Sequence, residues 1–108
     1  MLHPDQLTHT ALRVAAAATR PATVIVFGSY ARGDATERSD LDLVVIEPEL
    51  LDKGAEYLRL KEAVGRIGVG VDLLLFARPD FERRSQVPGT LPYWAVKEGR
   101  VLHDNAAA

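Results

Sequence analysis

Between Gly28 and Asp42 the chain reads GSYARGDATERSDLD, with a Gly-Ser pair directly after one apolar run and two acids, one residue apart, where the next begins. Side chains two apart on a strand leave the same face, roughly 6.5 to 7 Å apart along it. Asp40 and Asp42 can therefore converge on one ion. Hard divalent cations such as Mg²⁺ take carboxylate oxygens together with substrate phosphate oxygens, which makes this pair a candidate Mg²⁺ holder. Ser39-Asp40 is equally ordinary turn chemistry, because both side chains can hydrogen-bond nearby backbone. Gly28-Ser29 offers the complementary half of a phosphate site. A strand that ends in glycine and runs into a helical turn presents backbone N–H groups and a hydroxyl where an anion is favoured, although Gly-Ser after a strand also serves as a plain turn. Gly33 lets the chain double back, and Arg32 or Arg38 either reaches phosphate oxygens or remains a solvated charge.

A third acid lies farther on. Asp72 interrupts the apolar run of VGVDLLLF, where an isolated ionised carboxylate costs several kcal/mol unless it is paired, hydrogen-bonded or bound to metal. It either pairs with an arginine or loop amides, or completes a carboxylate triad with Asp40 and Asp42. The glycines do not spell a better-known phosphate loop. No lysine follows Gly28-Ser29 where a Walker loop needs one, and Gly65, Gly68 and Gly70 precede a strand instead of a helix, so they form no dinucleotide fingerprint.

These residues need elements to hold them. Leu7, Ala11, Leu12, Ala15 and Ala18 recur at helical spacing until Arg20-Pro21, since a residue before proline avoids helical angles. Thr23 to Phe27 is a β-branched and aromatic run that predicts a strand buried on both faces. Leu41 to Glu47 predicts a second strand, with Asp40, Asp42, Val44 and Ile46 on one face and Leu41, Leu43 and Val45 on the other. Tyr57, Leu60, Val64 and Ile67 place a helix between Leu51 and Ile67. Val69 to Phe76 predicts a third strand, with Asp72 sharing a face with Gly70 and Leu74, and too apolar for an edge position. DFERRSQ predicts a short helix, PGT a turn, LPYWAVKEG a helix stopped by Gly99, and VLH a last short strand. The succession describes an α/β (α+β) domain, a small mixed sheet packed with helices, in a single domain over residues 1–108.

Composition narrows the partners. The 108 residues carry a formal net charge of -2 and 47% hydrophobic residues, so the chain should fold, and the clustered Lys and Arg that neutralise phosphate backbones are missing. Direct DNA binding is not expected. With no cysteine, disulfides and thiolate metal ligands are ruled out. The N-terminus lacks the basic start and apolar core of a signal peptide, and no apolar run has membrane-spanning length, so no membrane partner and a cytoplasmic location are expected. His3, His9 and His103 are scattered and read as surface residues, and Tyr93-Trp94 reads as core or partner interface.

Gly28-Ser29, ten residues, Asp40-Leu41-Asp42 and then Asp72 on a later strand resemble the signature of the polymerase-β-like nucleotidyltransferase superfamily. The wording GSYARGDATERSDLDLVV and the short length resemble its minimal nucleotidyltransferases (MNT), antitoxins found beside HEPN-domain toxins. The ending Gly99-Arg100-Val101-Leu102 is similar too, although His103 stands where family members often have tyrosine. The resemblance implies a polymerase-β palm-like fold. It also implies two Mg²⁺ ions on Asp40, Asp42 and Asp72, with Asp72 in addition orienting or deprotonating the acceptor. ATP phosphates would be held by Gly28 and Ser29, with Arg32 and Ser39 as further phosphate contacts. The implied reaction is AMP transfer from ATP to a tyrosine hydroxyl of a HEPN toxin, with which the chain would form a hetero-oligomer. Two alternatives stand beside it: a binding antitoxin that acts by occlusion, and a nucleotidyltransferase with a small-molecule acceptor.

Overall fold

In the computed structural model, which describes residues 1–104, helix α1 (Pro4–Ala17) leads into strand β1 (Thr23–Phe27), the single-turn helix α2 (Ser29–Arg32) and strand β2 (Leu41–Glu47). Helix α3 (Lys53–Val64), strand β3 (Val71–Ala77), helices α4 (Arg78–Ser85) and α5 (Leu91–Glu98) and strand β4 (Arg100–Asp104) complete it. The sheet order is β3-β2-β1-β4. β1 pairs antiparallel with β2 and β4, while β2 and β3 run parallel. The mixed sheet between helices agrees with the expected class.

Alternation along the strands divides the core in two. Val24 and Val26, Leu41, Leu43 and Val45, and Leu73 and Leu75 face one way, against Leu7, Ala11 and Val14 of α1 and Leu60 and Val64 of α3. Ile25, Val44, Ile46 and Phe76 face the other way, against Phe81 of α4 and Ala95 of α5. β1 is thus covered on both faces, as its sequence predicts. β3 corrects the expectation drawn from its apolar body, because it lies at an edge of the sheet. Its two faces are covered by α3 and α4, so apolar side chains on both are buried although, among the described residues, no strand lies beside its outer backbone edge; Lys61 Nζ donates to the Val71 carbonyl at its start.

Helix ends depart from the sequence reading for local reasons. α1 begins at Pro4, where proline suits the first helical turn, and Gln6 Oε1 accepts from the His3 N–H at 2.7 Å. α3 begins after Asp52, whose side chain accepts from the Ala55 N–H at 3.1 Å, and ends at Val64, leaving Ile67 outside it. Gly99 follows α5 with φ −75°, an angle any residue adopts. Its lack of a side chain is needed for packing instead: a Cβ there would overlap the Ala95 carbonyl oxygen of α5 and stand 2.6 Å from Ile25 Cγ2 and 3.1 Å from the Val26 carbonyl oxygen.

At the far end of β2, Glu47 is wholly buried. Burial first, then the hydrogen bond and charge of Glu56, push its carboxyl up to about 7. Glu56 is held below the ordinary value despite its own burial, because Glu47 and Thr19 hydrogen-bond to it. The Thr19 N–H and hydroxyl donate to its two oxygens at 2.8 and 2.6 Å. Both Glu47 oxygens lie buried beside Glu56 and, among the described residues, without a donor of their own, so the neutral form of Glu47 is favoured there.

Candidate active site

The parallel register of β2 and β3 decides the geometry. Leu41 faces Val71 and Asp42 faces Asp72 across the ladder, and the Leu41 N–H donates to the Gly70 carbonyl at 2.8 Å. Asp42 and Asp72 are cross-strand neighbours on one face, both near the start of their strands. Asp40 lies on the same face one step outside the ladder, beside Gly70. Sequence alternation alone put these residues on one face; the pairing of β2 with β3 brings them together.

Electrostatics reports the crowding. Burial first, then the charge of Asp72 and a hydrogen bond with it, then the charge of Asp40, push the Asp42 carboxyl up to about 6, against a weaker pull from Arg32. Asp40 and Asp72 are exposed and Asp42 is half-buried. This corrects the reason given for Asp72: as the second residue of β3 it meets water, so no buried-charge penalty explains it. Its place opposite Asp42 does not depend on that penalty. Among the described residues, no three acid or imidazole groups are already gathered as a coordination cage. Asp42 and Asp72 form the close pair, and Asp40 acts on Asp42 through its charge. A set of hard oxygen donors whose mutual repulsion raises a pKa suits a hard divalent cation, which would remove that repulsion.

The Gly-Ser turn closes on the same acids. Gly28, at φ 73° and ψ −151°, caps the short helix α2, and its carbonyl accepts from the N–H groups of Ala31 and Arg32, both at 3.0 Å. Phe27 faces Asp42 across the β1–β2 ladder, so Gly28 comes against the Asp42 carboxylate. A Cβ on Gly28 would overlap Asp42 Oδ2 and lie 3.3 Å from Cγ. Glycine is required there twice, for its angle and for its closeness. Ser29 follows, half-buried, as the first residue of α2.

The remaining candidates have other partners. Arg32 is near enough to influence Asp42, and its guanidinium is held by Asp34 at 3.3 Å and Glu98 at 3.8 Å. The Ser39 hydroxyl accepts from the Thr36 N–H at 2.9 Å and so closes the turn before Asp40. His103 is half-buried in β4, with Nε2 buried and, among the described residues, without a hydrogen-bond partner, which corrects its reading as a surface residue; His3 and His9 are exposed. Trp94 is exposed and stacks edge-on against half-buried Tyr93 at 5.3 Å. Gly70 was missed by the sequence reading. The available signal was its place on the face of Asp72, two residues before it.

A mixed sheet whose neighbouring parallel strands deliver acids beside a Gly-Ser turn defines a nucleotidyltransferase domain. Residues 12–97 match the nucleotidyltransferase domain family, and the chain belongs to it. Over 54 residues, 48% of this chain, it is 43% identical to "Putative protein adenylyltransferase MJ1379" of Methanocaldococcus jannaschii. The match covers 54% of that protein, so the chain spans about half the length of this curated relative. Two solved structures share the fold. A toxin–antitoxin with AMP-PNP aligns at TM-score 0.67 and 19% identity over 98% of this chain and 77% of the other. A toxin–antitoxin MntA-HpeT mutant aligns at TM-score 0.64 and 16% identity, over 98% and 76%.

Proposed function

We propose that the chain transfers AMP from ATP to an acceptor hydroxyl. The observation that carries this reading is the meeting of Asp42 with Asp72 across the β2–β3 ladder, with Gly28 packed against Asp42. Phosphate and cation ligands then lie side by side. Asp40, Asp42 and Asp72 would hold Mg²⁺, which when bound neutralises charge on the attacking and leaving oxygens. Gly28 and Ser29 bind the β- and γ-phosphates through the backbone at the start of α2 and the Ser29 hydroxyl. Arg32 adds a cation at the phosphate end, and Ser39 fixes the turn that aims Asp40, within reach of the same oxygens. Asp72, exposed and on the outer of the two strands, orients the acceptor and takes its proton. The acceptor oxygen bonds to the α-phosphorus, the α–β phosphoanhydride breaks and pyrophosphate leaves.

The acceptor in this reading is a tyrosine hydroxyl of a HEPN-domain toxin, with the chain as its antitoxin in a cytoplasmic hetero-oligomer. Two observations support a protein acceptor: the curated relative carries the name protein adenylyltransferase, and the solved structures that share the fold are toxin–antitoxins. The exposed acids also leave the site open on the side from which a partner would approach. Incubation with α-³²P-ATP, Mg²⁺ and the co-expressed partner should label the partner, and Asp42→Asn with Asp72→Asn should abolish the label. An unlabelled partner that is still neutralised by both proteins would establish occlusion instead.

A further inference from the structure

Gly70 stands on the exposed rim of the acid face, and nothing in the phosphate chemistry requires it. Its φ lies outside the left-handed region, so the backbone there accepts alanine without strain. What the position lacks is room for a side chain while Asp40 keeps its place. A Cβ on Gly70 would lie 2.5 Å from Asp40 Oδ1, 3.0 Å from Cγ and 3.6 Å from Oδ2, and real Cβ contacts essentially never fall below 3.0 Å. The atoms in the way all belong to one exposed carboxylate, which can swing aside, and the nearest of them is not backbone.

We infer that Gly70 is a positioning residue for Asp40: its bare Cα leaves the space that the Asp40 carboxylate occupies, near enough for its charge to act on Asp42. The inference rests on the assignment of Asp40 as a Mg²⁺ ligand. Gly28 and Gly70 then have matching tasks, one against Asp42 and one against Asp40. They differ in one respect. Substitution of Gly28 mixes backbone strain with displacement of the acid, whereas at Gly70 only displacement remains. Gly68, two residues earlier, offers the opposite case, with φ +87° and nothing within 4 Å of a built Cβ. A substitution there strains the loop without touching an acid.

Mn²⁺ titration of the full chain with AMP-PNP, followed by electron paramagnetic resonance, tests this alongside thermal melts. Gly70→Ala should weaken Mn²⁺ binding by about 10-fold or more, as loss of a residue supporting a metal ligand usually does, and should leave the melting temperature nearly unchanged. Gly68→Ala should lower the melting temperature and leave Mn²⁺ affinity as it was. The effect must also travel through Asp40, so in an Asp40→Ala background Gly70→Ala should change neither affinity nor melting further. If Gly70→Ala alone fails to fold, the double variant should fold. Wild-type Mn²⁺ affinity in Gly70→Ala, or an equal effect of Gly70→Ala with and without Asp40, overturns the inference while the site assignment stands. Absence of Mn²⁺ binding by the unaltered protein overturns both.

Discussion

Asp42 is where binding and stability oppose each other. Its carboxyl stands at about 6 in the folded chain against 3.8 ordinarily, so the folded state keeps a proton that the unfolded chain has released. That proton favours folding below about pH 4, and the advantage disappears as pH rises through 6. Asp42→Asn should therefore abolish nucleotidyl transfer, by a factor of about 10² or more, while raising the melting temperature at pH 8 in the presence of EDTA. Melts with and without the chelator measure it. Glu47 shows the same sign without any catalytic role. Its raised value, about 7 against 4.5, makes stability fall as pH rises from about 4.5 through 7 and level off above. Glu56, held low, acts on the other side, since the stability it contributes is lost as pH falls below its ordinary range. Glu47→Gln removes the titrating group at nearly the same size and should flatten the profile between pH 5 and 8. Melting temperatures across that range decide it.

At the scale of elements, joints matter more than propensities. Thr90 accepts from the Tyr93 N–H at 3.3 Å and donates to the Arg84 carbonyl at 2.7 Å, capping α5 while fastening it to α4. Thr90→Ala should cost about 1 kcal/mol, read from urea midpoints with an unchanged slope. Gly99→Ala should cost more, about 1 to 3 kcal/mol, because the methyl group meets Ile25 and the β1 backbone. The strands were legible because their apolar runs are short and bounded by Gly or Pro. Alternation assigned Asp40 and Asp42 to one face of β2 from spacing alone, and Asp72 to a face of β3. What the sequence could not show was which strands are neighbours. The edge position of β3, the exposure of Asp72 and the reason for Gly99 all follow from contacts between distant segments. Gly70 belongs with them: its purpose is visible only once Asp40 lies beside it.

For the whole molecule, the acids and the Gly-Ser turn sit at one end of the sheet, and the packed helices supply the stability that end withholds. In the proposed reaction a cation would relieve the repulsion that Asp40 and Asp72 exert on Asp42, and ligand binding stabilises the folded state by mass action. AMP-PNP at about 100 times its dissociation constant adds roughly 2.7 kcal/mol. With Mg²⁺ present, the melting temperature should rise by about 10 °C or more; with EDTA in place of Mg²⁺ the rise should be much smaller. Equal shifts with and without the metal would remove the acids from nucleotide binding. No helix among the described residues is long and apolar enough to cross a membrane.

The buried Glu47 has one more consequence, for the alignment of β2 itself. A strand that slides by one residue turns its apolar side chains to the wrong face, and the core forbids it; a slide of two keeps every side chain on its proper face. In LDLVVIE, five apolar residues with an acid near each end, alternation alone leaves that second slide open. Glu47 opposes it, because such a slide would carry its buried carboxyl away from Glu56. An acid remote from the chemistry thus works as a ratchet tooth, favouring the alignment in which Asp42 stands opposite Asp72.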